Sequence, residues 1–245
     1  MKYFETHFED YVTTCLSNNF HPKIQKQMDK MLKLNSEYKQ VIYTDEQIFD
    51  YVKSNYDSET FKAFERLNIM TARVDFWRYL ILYKQGGIYL DIDSQINTKI
   101  SNFLNEDDDC LITAETNPEL FVQWGLFFDK KHPILEKTIS NVTKNIITNK
   151  YPNDIVNTTG PGVFTESLQE IHLKYHNETL DWKIINPRFD QKYLIVHNND
   201  KYNYRIFGVD FNKNLSFKYK DTSYLYQNAK HWKVEESMKE LIEGN

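Results

Sequence analysis

Gly86-Gly87-Ile88-Tyr89-Leu90-Asp91-Ile92-Asp93 packs a helix stop, a short apolar run and two acids into eight residues. The paired glycines end the helical pattern before them, since glycine alone takes φ > 0 without steric cost. Ile88 to Ile92 then reads as a strand, in which residues two apart point the same way. Asp91 and Asp93 thereby present two carboxylates on one face, while Leu90 and Ile92 enter the core. Two such carboxylates repel unless a cation sits between them. Hard oxygen ligands suit Mg²⁺ or Mn²⁺, with positions left for water and phosphate oxygens. An isolated Asp-x-Asp is more often a strand end whose acids face water, so its surroundings carry the argument.

Immediately upstream, Thr71 to Tyr83 has helical spacing, with Phe76, Leu80 and Tyr83 on one face. Asp75 and Arg78 are three apart and share another face. As an exposed ion pair they would contribute only ~0.3–0.5 kcal/mol. The glycine turn, however, folds this helix back beside the Asp91/Asp93 strand, so four polar groups converge on one cleft. Arginine is scarce here, at five of the 30 basic residues, so one inside a motif stands out. Four of the seven glycines fall in Gly86-Gly87 and Gly160-Pro161-Gly162, which points to backbone that takes φ > 0 or approaches something closely.

Outward from this unit, Tyr11 to Leu16 has a strand-like outline and Pro22 opens a helix to Leu34 with Ile24, Met28, Met31 and Leu32 at helical spacing. Val41 to Tyr43 reads as a short strand, and Asp45 to Lys53 and Ser58 to Leu67 as short helices. Downstream, strands are expected at Leu111 to Thr113 and Leu120 to Phe128, and helices at Pro133 to Asn149 and Val163 to Tyr175. From Trp182 the chain turns aromatic and β-like. Alternating helices and strands predict an α/β fold, a mixed twisted sheet flanked by helices.

At 245 residues, 40% apolar and 27% charged, the chain is long enough to bury a full core, which excludes whole-chain disorder. A net charge of −5 repels polyanions, so nucleic acid is not the expected partner. Cys15 and Cys110 lack any metal-ligand spacing and fit a reducing compartment. The acidic start is unlike a signal peptide and no apolar run approaches the ~20 residues of a bilayer span. A soluble cytoplasmic protein is expected.

The stretch Thr71 to Asp93 resembles the DXD region of the Och1-like glycosyltransferases of capsular, viral and fungal systems, which are distantly similar to the clostridial glucosylating toxins. Asn35 to Asp45 is similar to the family's N-P-x-Y-x-x-x-x-W-x-D segment, Lys131-His132-Pro133 to its H-P element, and Thr159-Gly160-Pro161-Gly162 to its T-G-P-G element. His231-Trp232 resembles a terminal H-W. The resemblance implies a single GT-A domain over residues 1–245, with a nucleotide-sugar-binding, Rossmann-like half and a less regular segment at about 190–245 that closes over the donor. It also implies metal-dependent, retaining transfer of a hexose from a nucleotide sugar to a glycan or glycan precursor; with no apolar anchor expected, a viral or bacterial polysaccharide pathway fits better than a Golgi one. Carried over by position, Asp93 is the direct Mn²⁺ or Mg²⁺ ligand and Asp91 contacts the ribose and the metal shell. Asp75 and Arg78 hold the donor sugar, Tyr89 and Gly160 line the donor cleft, and His231 is a later metal or diphosphate contact. Gln123 lines up loosely with a family amide position, and no catalytic nucleophile is named.

Tyr11 to Leu16 departs from the family's I-P-K-x-I-x-Q-x-W strand, and Lys230 to Ser237 lacks its G-S-W ending. Two other classes fit parts of the pattern. A haloacid-dehalogenase-type phosphohydrolase also uses a strand-end D-x-D, but near its start and with Thr or Val where Gln95 stands. A degenerate transferase that binds sugar or nucleotide would need the four Trp for stacking but not two acids poised for a metal.

Overall fold

The computed structural model describes residues 11–15, 22–92, 94–117, 119–212, 233, 237 and 239–243. Strand β1 (Tyr11–Cys15) leads to α1 (Pro22–Leu34), β2 (Lys39–Tyr43), α2 (Asp45–Asn55), α3 (Ser58–Glu65) and α4 (Met70–Gln85). Then come β3 (Gly87–Leu90), β4 (Cys110–Thr113), β5 (Gly125–Phe128), α5 (Pro133–Thr148), α6 (Ile155–Thr158), α7 (Pro161–His176), β6 (Asp190–His197) and β7 (Asp200–Phe207). The strands form one mixed sheet in the order β2-β1-β3-β5-β4-β7-β6. β1 runs parallel to both β2 and β3, and β4 parallel to β7, while the pairs β3–β5, β5–β4 and β7–β6 are antiparallel.

Alternation along the central strands divides the core in two. Tyr89, Cys110, Ile112, Leu126, Phe128, Tyr204 and Ile206 face the helices α2 to α7. Ile88, Leu90, Leu111, Phe127 and Phe207 face the opposite side, where Met31 of α1 covers them with Ile96 and Ile100. Strands buried on both faces read as continuous apolar runs, which is why β3, β4 and β5 lack polar alternation.

Helix α4 lies against β3 with Ala72 and every residue from Asp75 to Leu82 buried. It ends on Gly86, at φ 70 and ψ −166, followed by Gly87 at φ 98. A Cβ on Gly86 would stand 2.9 Å from the Lys130 backbone nitrogen, so both the conformation and the close approach exclude a side chain there.

Three expectations need correction. The strand expected over Ile88–Ile92 ends at Leu90, because Ser94 N–H donates to the Asp91 carbonyl at 2.9 Å and closes a turn. Asp91 therefore sits on a turn beyond the strand, and Ile92 is half-buried rather than in the core. The strand expected over Leu120–Phe128 is cut to Gly125–Phe128, since Gln123 is drawn toward α4 instead of pairing along the sheet. Finally, residues 190–207, expected to be β-like but within a less regular segment, are β as expected and form a regular long hairpin. Its two-residue turn, Asn198-Asn199, takes φ of 50 and 70, the left-handed pair that matches strand twist.

Candidate functional site

The site forms where α4, the turn after β3, the approach to β5 and the start of α7 meet. Asp75 and Arg78 are 2% and 3% exposed. Arg78 Nη2 lies 2.9 Å from Asp75 Oδ1 and 3.3 Å from Asp91 Oδ1, so one guanidinium bridges two carboxylates. Its carbon stands 4.7 Å from the centre of the Tyr89 ring, a cation–π contact on the strand side. Tyr89 hydroxyl donates to Asp91 Oδ1 at 2.8 Å, holding that carboxylate across the strand end. The i, i+3 spacing is thus no surface ion pair but a buried one.

Further groups complete the network. Gln123 Nε2 donates to Asp75 Oδ1 at 3.0 Å and Thr159 hydroxyl to Asp75 Oδ2 at 3.3 Å. Arg78 Nη1 donates to the Gln123 carbonyl at 3.0 Å. Gly160 lies at the N-terminus of α7, where its carbonyl is 3.3 Å from the Tyr79 hydroxyl. Burial pushes the Asp75 carboxyl up, to about 6, against the pull of Arg78, with the Asp91 charge adding to the rise. Burial opposes the Arg78 charge, yet Asp91, Tyr89 and Asp75 hold it well above its ordinary range. Arg78 is consequently a fixed cation facing an acid whose proton is less firmly lost.

The structure brings Asp75, Arg78, Tyr89, Asp91 and Gly160 into one neighbourhood, whereas Asp93 and His231 lie outside the described residues. Among the described residues no group of three or more His, Cys, Asp or Glu side chains stands ready to hold a metal. Asp91 nevertheless fits one. Its side chain is 32% exposed and, among the described residues, both its side-chain contacts fall on Oδ1, which leaves Oδ2 to face a hard cation. The Arg78 Nε–H is buried with no partner among the described residues, a donor suited to a ligand oxygen.

This constellation has relatives. Residues 22–111, which contain α4, the glycine turn and the acids, match the glycosyltransferase sugar-binding region containing the DXD motif. An uncharacterized glycosyltransferase of Acanthamoeba polyphaga mimivirus is 27% identical over 184 residues, covering 73% of this chain and 69% of its own. Over residues 22–111 the chain is similar to the DXD-containing glycosyltransferases. Another relative, the initiation-specific alpha-1,6-mannosyltransferase of Candida albicans, is 25% identical over 171 residues, 56% of this glycosyltransferase and 44% of the Candida protein. The inositol phosphoceramide mannosyltransferase 3 of Schizosaccharomyces pombe is 28% identical over 131 residues and is spanned for 36% of its length. In fold, the glycosyltransferase is similar to the PaToxG glycosyltransferase, with a TM-score of 0.55 over 67% of this chain and 70% of that one, at 19% identity. The architecture is GT-A-like. The match to a glycosyltransferase sugar-binding region sets aside the phosphohydrolase alternative, and among the described residues no helix is long and apolar enough to cross a membrane.

Tyr79 is the residue of this network that the sequence left unmarked, and the role of Thr159 was hidden inside a glycine motif. One signal was present: Tyr79 stands four residues after Asp75, on the same helix face.

Proposed function

We propose that this glycosyltransferase moves a hexose, in the first instance mannose, from a nucleotide sugar to a glycan or glycosylated acceptor with retention at the anomeric carbon. Support for mannose comes from the names of the Candida and Schizosaccharomyces relatives. The observation that carries the reading is the buried Asp75–Arg78 pair bridged to the part-exposed Asp91, an arrangement too costly to keep for packing alone. Asp91 and Asp93 would hold Mn²⁺ or Mg²⁺, and His231 would be a later contact to the metal or diphosphate. Such a cation, when bound, offsets the charge that develops on a departing diphosphate.

The chain's own groups orient the donor. Asp75 accepts from sugar hydroxyls and Arg78 donates from its Nε–H, which has no partner among the described residues, and together they fix the ring. Tyr89 keeps Asp91 from swinging toward Arg78 alone, since its hydroxyl shares the same carboxylate oxygen. No side chain is assigned as nucleophile, so retention corresponds to acceptor attack on the face that the diphosphate leaves.

A donor panel tests the proposal: GDP-mannose, UDP-glucose, UDP-galactose and UDP-N-acetylglucosamine, each with Mn²⁺, read by released nucleoside diphosphate. Turnover of GDP-mannose that is lost with EDTA and in Asp91→Asn is expected, and NMR of the product reports the anomer. Turnover of a UDP-sugar alone would replace the donor assignment. Silence across the panel, with no Mn²⁺-dependent thermal shift by GDP or UDP, would refute the enzymatic reading in favour of a binding protein.

A further inference from the structure

The buried face of α4 carries one more polar group. Tyr79 is fully buried, its ring stacked on Phe164 of α7 at 5.8 Å between centroids and 10° between planes. Its hydroxyl lies 2.6 Å from Gln123 Oε1 and 3.3 Å from the Gly160 carbonyl oxygen. A phenol has a single proton to donate, and the shorter contact takes it. Burial raises this phenol well above its usual range, so it remains an O–H donor at any working pH.

Gln123 is where the three α4 residues meet. Its backbone carbonyl accepts from Arg78, its Nε2 donates to Asp75, and its Oε1 accepts from Tyr79. A carboxamide fits its site almost equally well when turned by half a rotation, so its partners decide which end points where. With Oε1 on the Tyr79 hydroxyl, the N–H end faces Asp75. In the reversed orientation, an amide oxygen would oppose a carboxylate oxygen.

We infer that Tyr79 is a positioning residue of the donor site, setting the Gln123 amide so that it holds Asp75 in the orientation that receives the donor sugar. The inference rests on the donor-binding reading of Asp75. Removing the hydroxyl while keeping the ring takes from the half-buried Gln123 Oε1 the donor that Tyr79 supplies and lets the amide turn, so Asp75 loses a fixed partner. The damage falls on sugar orientation and not on the nucleoside diphosphate, which none of these three groups is assigned to touch.

Tyr79→Phe, Gln123→Ala and the double variant of the full chain test this with GDP-mannose hydrolysis in Mn²⁺, GDP affinity by calorimetry, and the Gln123 side-chain amide by NMR. Tyr79→Phe is expected to melt as a folded protein and bind GDP like the parent. Its kcat/KM should nevertheless fall roughly 10- to 100-fold. The double variant should be no worse than Gln123→Ala alone, because both substitutions break one chain of contacts. Losses that multiply in the double variant, or parental kinetics in Tyr79→Phe, would overturn the inference. The amide signal answers independently of turnover: faster hydrogen exchange at the Gln123 amide in Tyr79→Phe supports the positioning role, and an unchanged resonance and exchange rate refutes it. If the parent turns over no donor, the donor reading fails while the amide measurement still decides the role of Tyr79.

Discussion

Replacing Arg78 by lysine keeps the charge and removes the geometry. The guanidinium makes four contacts at once: Nη1 to the Gln123 carbonyl at 3.0 Å, Nη2 to Asp75 at 2.9 Å and to Asp91 at 3.3 Å, and a face-on approach to Tyr89 at 4.7 Å. A shorter side chain ending in one ammonium cannot span both carboxylates and the carbonyl together. Losing the charge-assisted bond to the half-buried Gln123 carbonyl costs about 1.5–3 kcal/mol. Losing the ring contact adds roughly 0.5–1 kcal/mol. Arg78→Lys should therefore lower unfolding stability by about 2–4 kcal/mol in urea titrations at neutral pH, with the m-value unchanged. Arg78→Met should lower it further, since removing one partner of a buried pair costs about 3–5 kcal/mol. Acidification should recover part of the methionine loss, because protonating Asp75 relieves its repulsion with Asp91. Donor turnover should drop at least ~100-fold in Arg78→Lys, as a point charge cannot fix the sugar. Stability within about 0.5 kcal/mol of the parent together with near-normal kinetics would refute the reasoning and reduce Arg78 to a dispensable ion pair.

Three other outcomes are expected. His132 caps α5 by accepting from Ile134 N–H on Nδ1 while Nε2 meets the Asn203 carbonyl, and burial lowers its pKa to about 4. The folded state thus binds the proton less well than the unfolded one, so this contribution is complete above pH 6.5 and is lost as pH falls toward 4. A shift of this size corresponds to about 3 kcal/mol, and His132→Asn, which keeps a cap acceptor, should flatten the urea-stability curve across that window; parallel curves would sink the idea. Gly86→Ala should cost about 2 kcal/mol or more, a Tm fall of roughly 4–8 °C in calorimetry, because φ 70 and the Lys130 backbone at 2.9 Å both oppose a Cβ; an unaltered Tm is the contrary result. Asp91→Asn preserves shape and removes the charge facing the cation, so Mn²⁺-dependent turnover should fall ~100-fold or more while the melting curve changes little at a side chain 32% exposed; Mn²⁺-dependent rates equal to the parent would detach Asp91 from the metal.

Much of the helix, turn and strand arrangement around residues 70–90 was legible because it follows from local rules. Apolar spacing marks α4, Gly86-Gly87 stops it, and the apolar run after it makes β3. The region at 190–207 was legible as β-like but not as two defined strands, since they mix exposed Leu194 and Val196 with polar residues and show no clean alternation. Strand periodicity was legible only as far as Leu90, because a hydrogen bond from Ser94 N–H to the Asp91 carbonyl closes a turn that a period-two pattern does not reveal.

The amino-acid order alone settles that Asp75 and Arg78 share a helix face and that a glycine pair returns the chain beside Asp91, because spacing and backbone sterics act within a few residues. Packing alone decides that this face is buried, and that Gln123 and Thr159, 48 and 84 residues beyond Asp75, bond to the same carboxylate. Such contacts depend on how β5 and α7 close over α4, and no local periodicity encodes the distance between elements that meet only when the core is assembled.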